Sequence, residues 1–470
     1  MTRTYDLLVL GGGSAGFAAA IKGAEAGRRV ALVEGGTIGG TCVNVGCVPS
    51  KTLIAAARAR ASATRPAFEG LGVHAVAPDW PAVMAQKRAL VDELRQAKYL
   101  DVLAAYPTIE WVRGQGTLTG TDPVTLDVAG TTLQAPALVL ATGAEPWAPL
   151  IPGLADTPFW TSSDALAAET LPEHLIVLGG SAVGLEIGQL YRRFGVAVTV
   201  LEALDRIVPA EDQEVSDALT GYLREEGLTV MPGATVQAVA YDGRVFTVTA
   251  RVDGQVRTVT GDRLLVATGR RPRTAGFGLV EHGIEVDRRG AVVVDAHLRS
   301  TVPTVYAAGD VTGQAMFVYV AAAQGSVAAT NALGLGPVAN DLDALPRVTF
   351  TDPQVASVGW TEAEAERQGI PCDSRTLPLA YVPRALANRD TRGLIKIVAE
   401  RETEQVRGVH IVAPEAGEMI QVGVIAVKYE MTLSDLTQLY FPYLAAVEGL
   451  KLAALTFHKD VAKLSCCAGA

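Results

Sequence analysis

Two cysteines, Cys42 and Cys47, lie five residues apart in the segment Cys-Val-Asn-Val-Gly-Cys-Val-Pro-Ser-Lys. On a regular helix such side chains point about 140° apart, so bringing both thiols together requires a local break in the helix. Gly46 gives the backbone the freedom for that break. Lys51, one turn after Cys47, is a cation of the kind that lowers a thiol pKa and favours the nucleophilic thiolate. The segment therefore predicts a reactive thiol pair.

A second pair of thiols, Cys466 and Cys467, lies in the last five residues of the sequence. The Cα atoms of adjacent residues are about 3.8 Å apart, which is shorter than the usual span of a disulfide, so a bridge between these cysteines is strained and easily reduced. Two free thiols are the predicted state. Thiolates select soft metal ions, and the tail thus predicts a soft-metal ligand. Cys372, the fifth cysteine, receives no predicted role.

The segment before the first thiol pair predicts the strands and the helix that position these thiols. A short apolar strand ends in Gly11, Gly13 and Gly16 with GxGxxG spacing, a helix follows, and a second strand ends at Glu34. Glycines in this turn let the backbone approach a pyrophosphate at the helix N-terminus, and the acid is placed to bind a ribose hydroxyl. Strand, turn, helix and acid together predict a dinucleotide-binding unit.

The same unit recurs 168 residues later, with Gly179, Ser181 and Gly184 at the turn and Glu202 at the end of the second strand. In both copies the acid lies 18 residues after the last glycine, so two dinucleotide sites are predicted. Glu202 can accept hydrogen bonds from both ribose hydroxyls of NADH and meets the 2′-phosphate of NADPH with like charge. NADH is the predicted coenzyme, unless Arg206 neutralises that phosphate.

Composition limits the classes of function. With 470 residues, 49% of them apolar, the chain is long enough for two or three globular domains. A net charge of −10 has the wrong sign for nucleic acid. The sequence opens on a strand and its turn, not on a signal peptide, and its apolar runs are too short to span a bilayer, so a cytoplasmic protein is expected. Helices are predicted over 83–103, 415–430 and 444–464.

The thiol segment, the two units, the Ala-Ala-Gly-Asp ending at Asp310 and the segment Thr-Phe-Thr-Asp-Pro-Gln-Val-Ala-Ser-Val-Gly over 349–359 resemble the flavin disulfide reductase family. The resemblance implies an α/β fold with two Rossmann-like dinucleotide-binding domains and a C-terminal α+β dimerisation domain. An FAD domain is expected over 1–150 and 271–345, an NAD(P) domain over 151–270 and the dimerisation domain over 346–470. It further implies a homodimer whose active sites use residues of both subunits.

By motif matching, Cys47 is expected next to the flavin ring, Cys42 exchanges with substrate, and Lys51 pairs with Glu186 beside the flavin N5. The implied FAD-binding residues are Gly11, Gly13, Ser14, Ala15, Gly16, Glu34, Gly36, Thr41, Lys51, Gly116, Thr142, Gly143, Asp310 and Val318. The implied NAD(P)-binding residues are Gly179, Ser181, Gly184, Glu186, Glu202 and Gly269.

One departure from the family pattern points to the substrate. Disulfide reductases of the family carry a His-Pro-Thr segment whose His protonates a thiol leaving group, and here the segment from Tyr440 to Tyr443 replaces it. The five histidines from His74 to His410 lie far away in sequence, and His458 is expected on a polar helix face. An organic disulfide substrate is therefore disfavoured.

The missing base and the terminal Cys-Cys resemble the mercuric-ion-reducing branch of the family, which implies FAD, NADH or NADPH, and Hg(II) as substrate. Cys466 and Cys467 of one subunit are then expected to pass Hg(II) to Cys42 and Cys47 of the other, beside Tyr99 and Tyr443. Two alternatives remain open at this stage. One is a dihydrolipoamide dehydrogenase-like disulfide reductase, and the other is a flavoprotein that only sequesters metal.

Overall fold

The computed structural model of the protein describes residues 2–73 and 76–464. Its first part contains a parallel sheet, helices and an antiparallel meander. The strands there are β1 (Thr2–Thr4), β2 (Leu7–Leu10), β3 (Val30–Glu34), β4 (Ile109–Arg113), β5 (Gly116–Thr121), β6 (Val124–Val128), β7 (Thr131–Ala135), β8 (Leu138–Leu140) and β9 (Ala144–Pro146). The helices are α1 (Ser14–Glu25), α2 (Gly40–Val45), α3 (Cys47–Thr64), α4 (Trp80–Arg95) and α5 (Asp101–Ala105).

The middle of the chain repeats the strand-helix-strand plan and then returns to the first sheet. Its strands are β10 (His174–Leu178), β11 (Ala197–Leu201), β12 (Thr229–Met231), β13 (Thr235–Tyr241), β14 (Phe246–Val252), β15 (Gln255–Gly261), β16 (Arg263–Val266), β17 (Arg270–Pro272) and β18 (Val305–Ala307). Its helices are α6 (Ser162–Ala167), α7 (Ala182–Arg193), α8 (Gln213–Glu225) and α9 (Val318–Ala332).

The last part combines an antiparallel sheet with helices. Its strands are β19 (Arg347–Thr349), β20 (Gln354–Gly359), β21 (Cys372–Pro378), β22 (Leu394–Glu400) and β23 (Val406–Ala413). Its helices are α10 (Glu362–Gln368), α11 (Pro383–Ala387), α12 (Ala416–Lys428), α13 (Leu433–Gln438) and α14 (Glu448–Leu455). The five strands pair in the order β19-β20-β23-β22-β21.

Two parallel sheets carry the two nucleotide units. The first has the order β18-β8-β2-β3-β4 and the second the order β12-β11-β10-β16. Every residue of β2 is buried, as continuous apolar strands are when helices cover both faces of a parallel sheet. Strand β18 joins the first sheet although the whole second unit precedes it in the chain. The fold is thus the predicted α/β architecture with an α+β C-terminal part, while the domain boundaries at 150, 270 and 345 stay predictions.

A buried lysine connects the C-terminal sheet to the second unit. Lys396, on β22, has a side chain only 2% exposed, and its Nζ donates to carboxylates of Asp212, Glu214 and Glu362 at 2.8–3.0 Å. Asp212 directly precedes α8 of the second unit, whereas Glu362 begins α10 of the C-terminal part. A buried ammonium needs such compensation, so the two parts are held in a fixed relation.

Two predicted helices differ from the observed ones. The helix expected over 83–103 begins at Trp80 and contains a turn of π-helix, Gln96–Leu100, between α4 and α5. The helix expected over 444–464 is wrong in length, because α14 covers only Glu448–Leu455 and turns follow it. His458 accordingly lies in a turn, where its Nε2 is 3.2 Å from Glu404 Oε1, and not on a helix face. Within the described residues, the helices are too short or too polar to cross a membrane.

Candidate redox site

The turn between β2 and α1 is shaped to receive a dinucleotide. A Cβ added to Gly16 would lie 1.8 Å from the carbonyl oxygen of Gly11, so this position requires glycine. Glu34 accepts hydrogen bonds from the backbone N–H groups of Gly12 at 2.6 Å and Gly36 at 2.5 Å, which fixes its carboxylate beside the turn. A helix N-terminus with an oriented acid beside it fits the pyrophosphate and ribose of FAD.

The second unit repeats this arrangement of turn, helix N-terminus and acid, and we call each copy a cradle. A Cβ added to Gly184 would lie 2.0 Å from the carbonyl oxygen of Gly179. Glu202, 8% exposed, accepts hydrogen bonds from the N–H groups of Gly180 at 2.6 Å and Leu204 at 2.8 Å. Glu34 and Glu202 therefore accept hydrogen bonds from backbone N–H groups at equivalent positions. One donor directly follows the first glycine of the turn, and the other lies two residues after the acid. The second cradle fits NAD(P)H on the same grounds.

Three further residues surround the second cradle. Ser181 precedes α7 with extended backbone, so the departure from glycine introduces no strain at the turn. Gly269 has φ +119°, a conformation that other residues rarely adopt. Arg206 donates to Gln213 Oε1 at 2.5 Å and to the carbonyls of Pro209 and Glu211 at 2.9 and 3.2 Å. The guanidinium that was expected as a possible phosphate partner is thus engaged in its own loop.

The two cysteines lie on either side of a helix break. Cys42 lies in α2 and Cys47 begins α3, and Gly46 between them has φ −128° and ψ −106°, well outside helical values. Both thiols are free and half-buried. The hydrogen bond from Cys42 lowers the pKa of Cys47 to about 7, burial opposes this, and the nearby Lys51 ammonium lowers it further. The same hydrogen bond and burial raise the pKa of Cys42. Cys47 is therefore the more acidic of the two thiols.

Lys51 is paired as the motif match implied. Its Nζ donates to Glu186 Oε2 at 2.7 Å, and the other oxygen of Glu186 accepts the backbone N–H of Phe350 at 2.9 Å. Glu186 is buried on α7, whereas Lys51 is one turn into α3. The second unit, the cysteine helix and the segment before β20 therefore meet at one ion pair. Its role beside a flavin N5 stays a prediction.

Tyr99 lies on the π-helix turn and faces the thiols. Its ring centroid is 4.7 Å from that of Phe17, and a Cβ added to Gly39 would lie 3.2 Å from the edge of its ring. Burial raises the pKa of Tyr99, and the negative charge of Cys42 and Cys47 adds to the effect. A π-turn inserts one extra residue per turn and is frequent at functional sites. No propensity in the sequence signals this turn, which redirects the ring from an ordinary helix surface.

Three other residues were predicted at the substrate end of the site. Tyr443 follows α13 with a largely exposed side chain. Cys466 and Cys467 lie outside the described residues. Across the described ranges, His, Cys, Asp and Glu side chains form no group of three that could hold a metal ion. The four-cysteine Hg(II) ligand set predicted from the sequence therefore stays a prediction.

The far wall of the first cradle contains Asp310, in a short 3-10 helix after β18. Burial raises the pKa of Asp310, and the nearby Arg270 opposes the shift. Thr142 donates its hydroxyl to the carbonyl of Arg273 at 2.6 Å, and Gly143 turns with φ +74°. These residues follow the carboxyl ends of β8 and β18, the edge of a parallel sheet where ligands bind.

Three more predicted FAD residues have different local settings. Thr41 lies in α2 next to Cys42, and Val318 begins α9 with its backbone at the helix N-terminus. Gly116 packs inside the first domain, because an added Cβ would lie 2.7 Å from Leu10 and 3.1 Å from Val33 side chains. Close packing alone therefore explains a glycine at position 116.

Sequence reasoning missed three residues at the junction. Gln189 exchanges two hydrogen bonds of 2.8 Å with the backbone N–H and carbonyl of Asp352. Arg193 donates to Asp352 Oδ2 at 2.9 Å and to Glu226 Oε1 at 2.5 Å. Glu186, Gln189 and Arg193 form one polar stripe of α7, with spacings of three and four residues. That helical periodicity of polar residues in an otherwise apolar helix was the available signal.

Comparisons with known proteins agree with this geometry. The family model Pyridine nucleotide-disulphide oxidoreductase matches residues 5–325, and the dimerisation domain of that family matches residues 345–454. A mercuric reductase of Acidithiobacillus ferrooxidans is 47% identical over 472 residues, covering 99% of this chain and 85% of the relative. A mercuric reductase of Shigella flexneri is 48% identical over 473 residues, covering 98% and 82%.

A solved structure extends the comparison to the fold. The Cu(II) complex of the HOCl-induced flavoprotein disulfide reductase RclA from Escherichia coli matches with a TM-score of 0.86 at 30% identity, over 97% of this chain and 100% of that one. The protein is thus an NAD(P)H-dependent flavoprotein oxidoreductase that uses FAD and carries a dimerisation domain. Its chain belongs to the pyridine nucleotide-disulphide oxidoreductase family and, within it, to the group formed by the mercuric reductases.

Proposed function

We propose that the protein reduces Hg(II) to elemental mercury in the cytoplasm, with NADH or NADPH as reductant. The balanced reaction consumes one Hg(II) and one NAD(P)H and releases Hg(0), NAD(P)⁺ and one proton. The observation that carries the proposal is the pair of free thiols, Cys42 and Cys47, which a helix break at Gly46 places beside the Lys51–Glu186 ion pair. Support comes from relatives that are named mercuric reductases and are 47% and 48% identical over nearly the whole chain.

The thiol pair has the properties that a Hg(II) reductase needs. Cys47 has a pKa of about 7 and is therefore substantially thiolate near neutral pH, which gives a soft ligand without prior deprotonation. Cys42 releases its proton to solvent when the metal replaces the hydrogen bond between the two sulfurs. FAD, when bound, supplies the two-electron transfer between NAD(P)H and this centre. Lys51 and Glu186 fix the position of α3, on which Cys47 lies.

The segment Tyr440–Tyr443 supports a metal substrate over an organic disulfide. A disulfide substrate needs a general acid for its thiol leaving group, whereas Hg(0) leaves without one. Within one subunit the described histidines bond to other groups, His174 to Thr199, His282 to Gly278, His297 to Val338, His410 to Trp360 and His458 to Glu404. Because the expected active site uses residues of both subunits, it is the replacement of the His-Pro-Thr segment in each of them that favours Hg(II) over the dihydrolipoamide dehydrogenase-like alternative.

Delivery of Hg(II) by the tail is the finer part of the proposal. The partner subunit's Cys466 and Cys467 are proposed to bind Hg(II) first and to transfer it by thiol exchange to Cys42 and Cys47. Tyr99 faces the receiving thiols, and Tyr443 is proposed to line the path between the two pairs. Because each transfer exchanges one sulfur ligand for another, the metal stays bound throughout.

The proposal is tested by Hg(II)-dependent oxidation of NADH and NADPH together with release of mercury vapour. The parent enzyme is expected to turn over Hg(II), and the Cys42→Ala and Cys47→Ala variants are expected to bind FAD and show no turnover. Cys372→Ala, at a thiol on β21, is the matched control and should keep the parent rate. A higher kcat/KM with lipoamide than with Hg(II), or stoichiometric binding of Hg(II) without turnover, would contradict the proposal.

Delivery of Hg(II) by the tail is tested separately, because the protein can reduce Hg(II) even if the tail does not deliver it. A Cys466→Ala/Cys467→Ala variant is expected to lose activity in excess thiol, where ligands must be stripped from Hg(II), and to keep flavin reduction by NAD(P)H. Mixed dimers of this variant and a Cys42→Ala/Cys47→Ala variant should regain about one working site of two. Mixed dimers as inactive as both parents would rule out delivery between subunits.

A further inference from the structure

Phe350 touches both members of the ion pair at the redox site. Its backbone N–H donates to Glu186 Oε1 at 2.9 Å, and the centre of its ring lies 4.5 Å from Lys51 Nζ. It lies between β19 and β20, in the part of the chain matched by the dimerisation domain model. A residue of the dimerisation domain therefore contacts the ion pair beside the thiols of its own subunit.

The backbone of this segment is held firmly against α7. Two residues after Phe350, the N–H and carbonyl of Asp352 bond to the side chain of Gln189, and its carboxylate bonds to Arg193. These contacts fix the backbone from which the ring projects. The backbone position of Phe350 thus does not depend on Lys51.

We propose that Phe350 is a positioning residue that holds the Lys51 ammonium against Glu186 and beside Cys47. The side chain of Lys51 is 37% exposed and has four rotatable bonds, and a half-exposed ion pair alone restrains such a side chain weakly. A ring face adds electrostatic attraction to the ammonium and so favours the position in which it contacts both Glu186 and the ring. The importance of this contact between Phe350 and Lys51, which we call the clamp, rests for catalysis on the proposed function, whereas the contact itself does not.

The charges around the ammonium explain why its position matters. Cys42, Cys47 and Glu186 are the anionic or potentially anionic groups near it, and Arg270 is a further cation near Cys47. An ammonium free to leave Glu186 would also leave the thiolate. Phe350 is expected to act through Lys51 and not by contact with the metal.

The first test measures the position of Lys51 without any Hg(II). Reduced holoenzyme is treated briefly with an amine-reactive ester, and labelling of Lys51 is read by mass spectrometry relative to the exposed Lys98. Phe350→Leu keeps an apolar side chain and the backbone N–H but removes the ring face, so labelling of Lys51 should rise about 2- to 5-fold, the range of a half-exposed cation–π contact. Phe350→Tyr keeps the ring and should label like the parent.

A matched control separates the clamp from general loosening of the domain. Phe457 lies 5.5 Å from the guanidinium of Arg375, in the same part of the chain and away from Lys51. Phe457→Leu should leave the labelling of Lys51 at the parent rate. Equal labelling in the parent and Phe350→Leu, or equal increases in Phe350→Leu and Phe457→Leu, would overturn the proposal.

The second test asks whether the loss of the Phe350 ring lowers kcat, raises KM for Hg(II), or does both. Phe350→Leu should lower kcat for Hg(II)-dependent NADH oxidation about 2- to 5-fold with unchanged KM for Hg(II), and Phe350→Tyr should restore it. In a Lys51→Met background, Phe350→Leu should cause no further loss, because the ring then has no ammonium to hold. An independent loss in that background would overturn the proposal. Since labelling needs no Hg(II), it decides on Phe350 even if the parent enzyme fails to reduce mercury.

Discussion

The two nucleotide units are alike at the turn and different along the helix that follows. Both turns are closed by a glycine packed on a carbonyl oxygen, and both acids hold two backbone N–H groups. The difference begins at the second, fifth and ninth residues after the last glycine. The first unit has Ala18, Ile21 and Glu25 there, and the second unit has Glu186, Gln189 and Arg193.

These positions decide what each helix touches. Helix α1 packs against α9 so closely that a Cβ on Gly325 would lie 2.0 Å from the carbonyl of Ala15. Helix α7 instead contacts α3, which carries Cys47 and Lys51, and the segment around Asp352. The turn sequence therefore specifies dinucleotide binding in both copies. The helix face specifies which copy also supports the thiol centre.

The largest effects are expected from substitutions that disable one dinucleotide cradle and leave the other intact. Gly16→Ala should abolish FAD binding, because its Cβ would meet the carbonyl of Gly11 at 1.8 Å. Gly184→Ala should leave FAD bound and abolish flavin reduction by NADH, because the clash with Gly179 lies in the second cradle. Flavin absorbance after gel filtration and anaerobic bleaching by NADH measure the two losses.

Gly221→Ala is the matched control for both substitutions. Position 221 lies in α8, and an added Cβ there would have open space around it. This variant should keep both FAD and its reduction by NADH. If Gly184→Ala lost FAD as well, the two cradles would not be independent and the comparison between them would fail.

The second effect tests the polar stripe of α7. Arg193 is 5% exposed and bonds to Glu226 and Asp352. Arg193→Met removes the buried cation between them but leaves Asp352 paired with Arg392 and Glu226 with Arg65, so it should cost about 2 kcal/mol. The corresponding change in the first unit, Glu25→Gln, removes an exposed carboxylate and should cost under about 0.5 kcal/mol. Thermal unfolding with saturating FAD compares them. Similar small shifts in both variants would mean that the stripe contributes little to the junction.

Much of this arrangement could be predicted from the sequence because the turn chemistry is local. Glycine spacing, the acid 18 residues on and the apolar strands predict two nucleotide units, and the structure contains both. The pairing of Lys51 with Glu186 was implied by motif matching and is present at 2.7 Å. Such features depend on residues whose neighbours in the chain already determine their geometry.

The remaining features depend on distant parts of the chain. Phe350 and Asp352 bond to residues of α7 that lie 164 and 159 positions away in the sequence, so no local pattern around them predicts the contact. The π-turn at Tyr99 and the early end of α14 are also set by tertiary packing that overrides a continuous helical pattern. Long-range contacts of this kind are what single-sequence reasoning misses.

The third effect concerns coenzyme choice. Glu34 and Glu202 have the same local geometry, but only Glu202 is expected to select between NADH and NADPH. The parent enzyme is expected to prefer NADH, because the buried carboxylate of Glu202 repels a 2′-phosphate. Glu202→Gln keeps the size and one acceptor oxygen and removes the charge, so the ratio of kcat/KM for NADPH to that for NADH should rise roughly tenfold, about 1.4 kcal/mol. Glu34→Gln, its counterpart at the FAD cradle, should leave that ratio unchanged.

The smallest effect is expected at Arg206, four residues beyond Glu202. Its guanidinium already donates to Gln213 and to the carbonyls of Pro209 and Glu211, so reaching a 2′-phosphate would require breaking these bonds first. Arg206→Met should therefore change KM for NADPH by less than about twofold, since a half-buried charge that stays in its loop contributes little to a ligand it does not touch. Steady-state kinetics with both coenzymes measure the change. A rise in KM confined to NADPH and much larger than twofold would show that the arginine leaves its loop for the phosphate, and coenzyme choice would then depend on this residue more than on the acid at the end of β11.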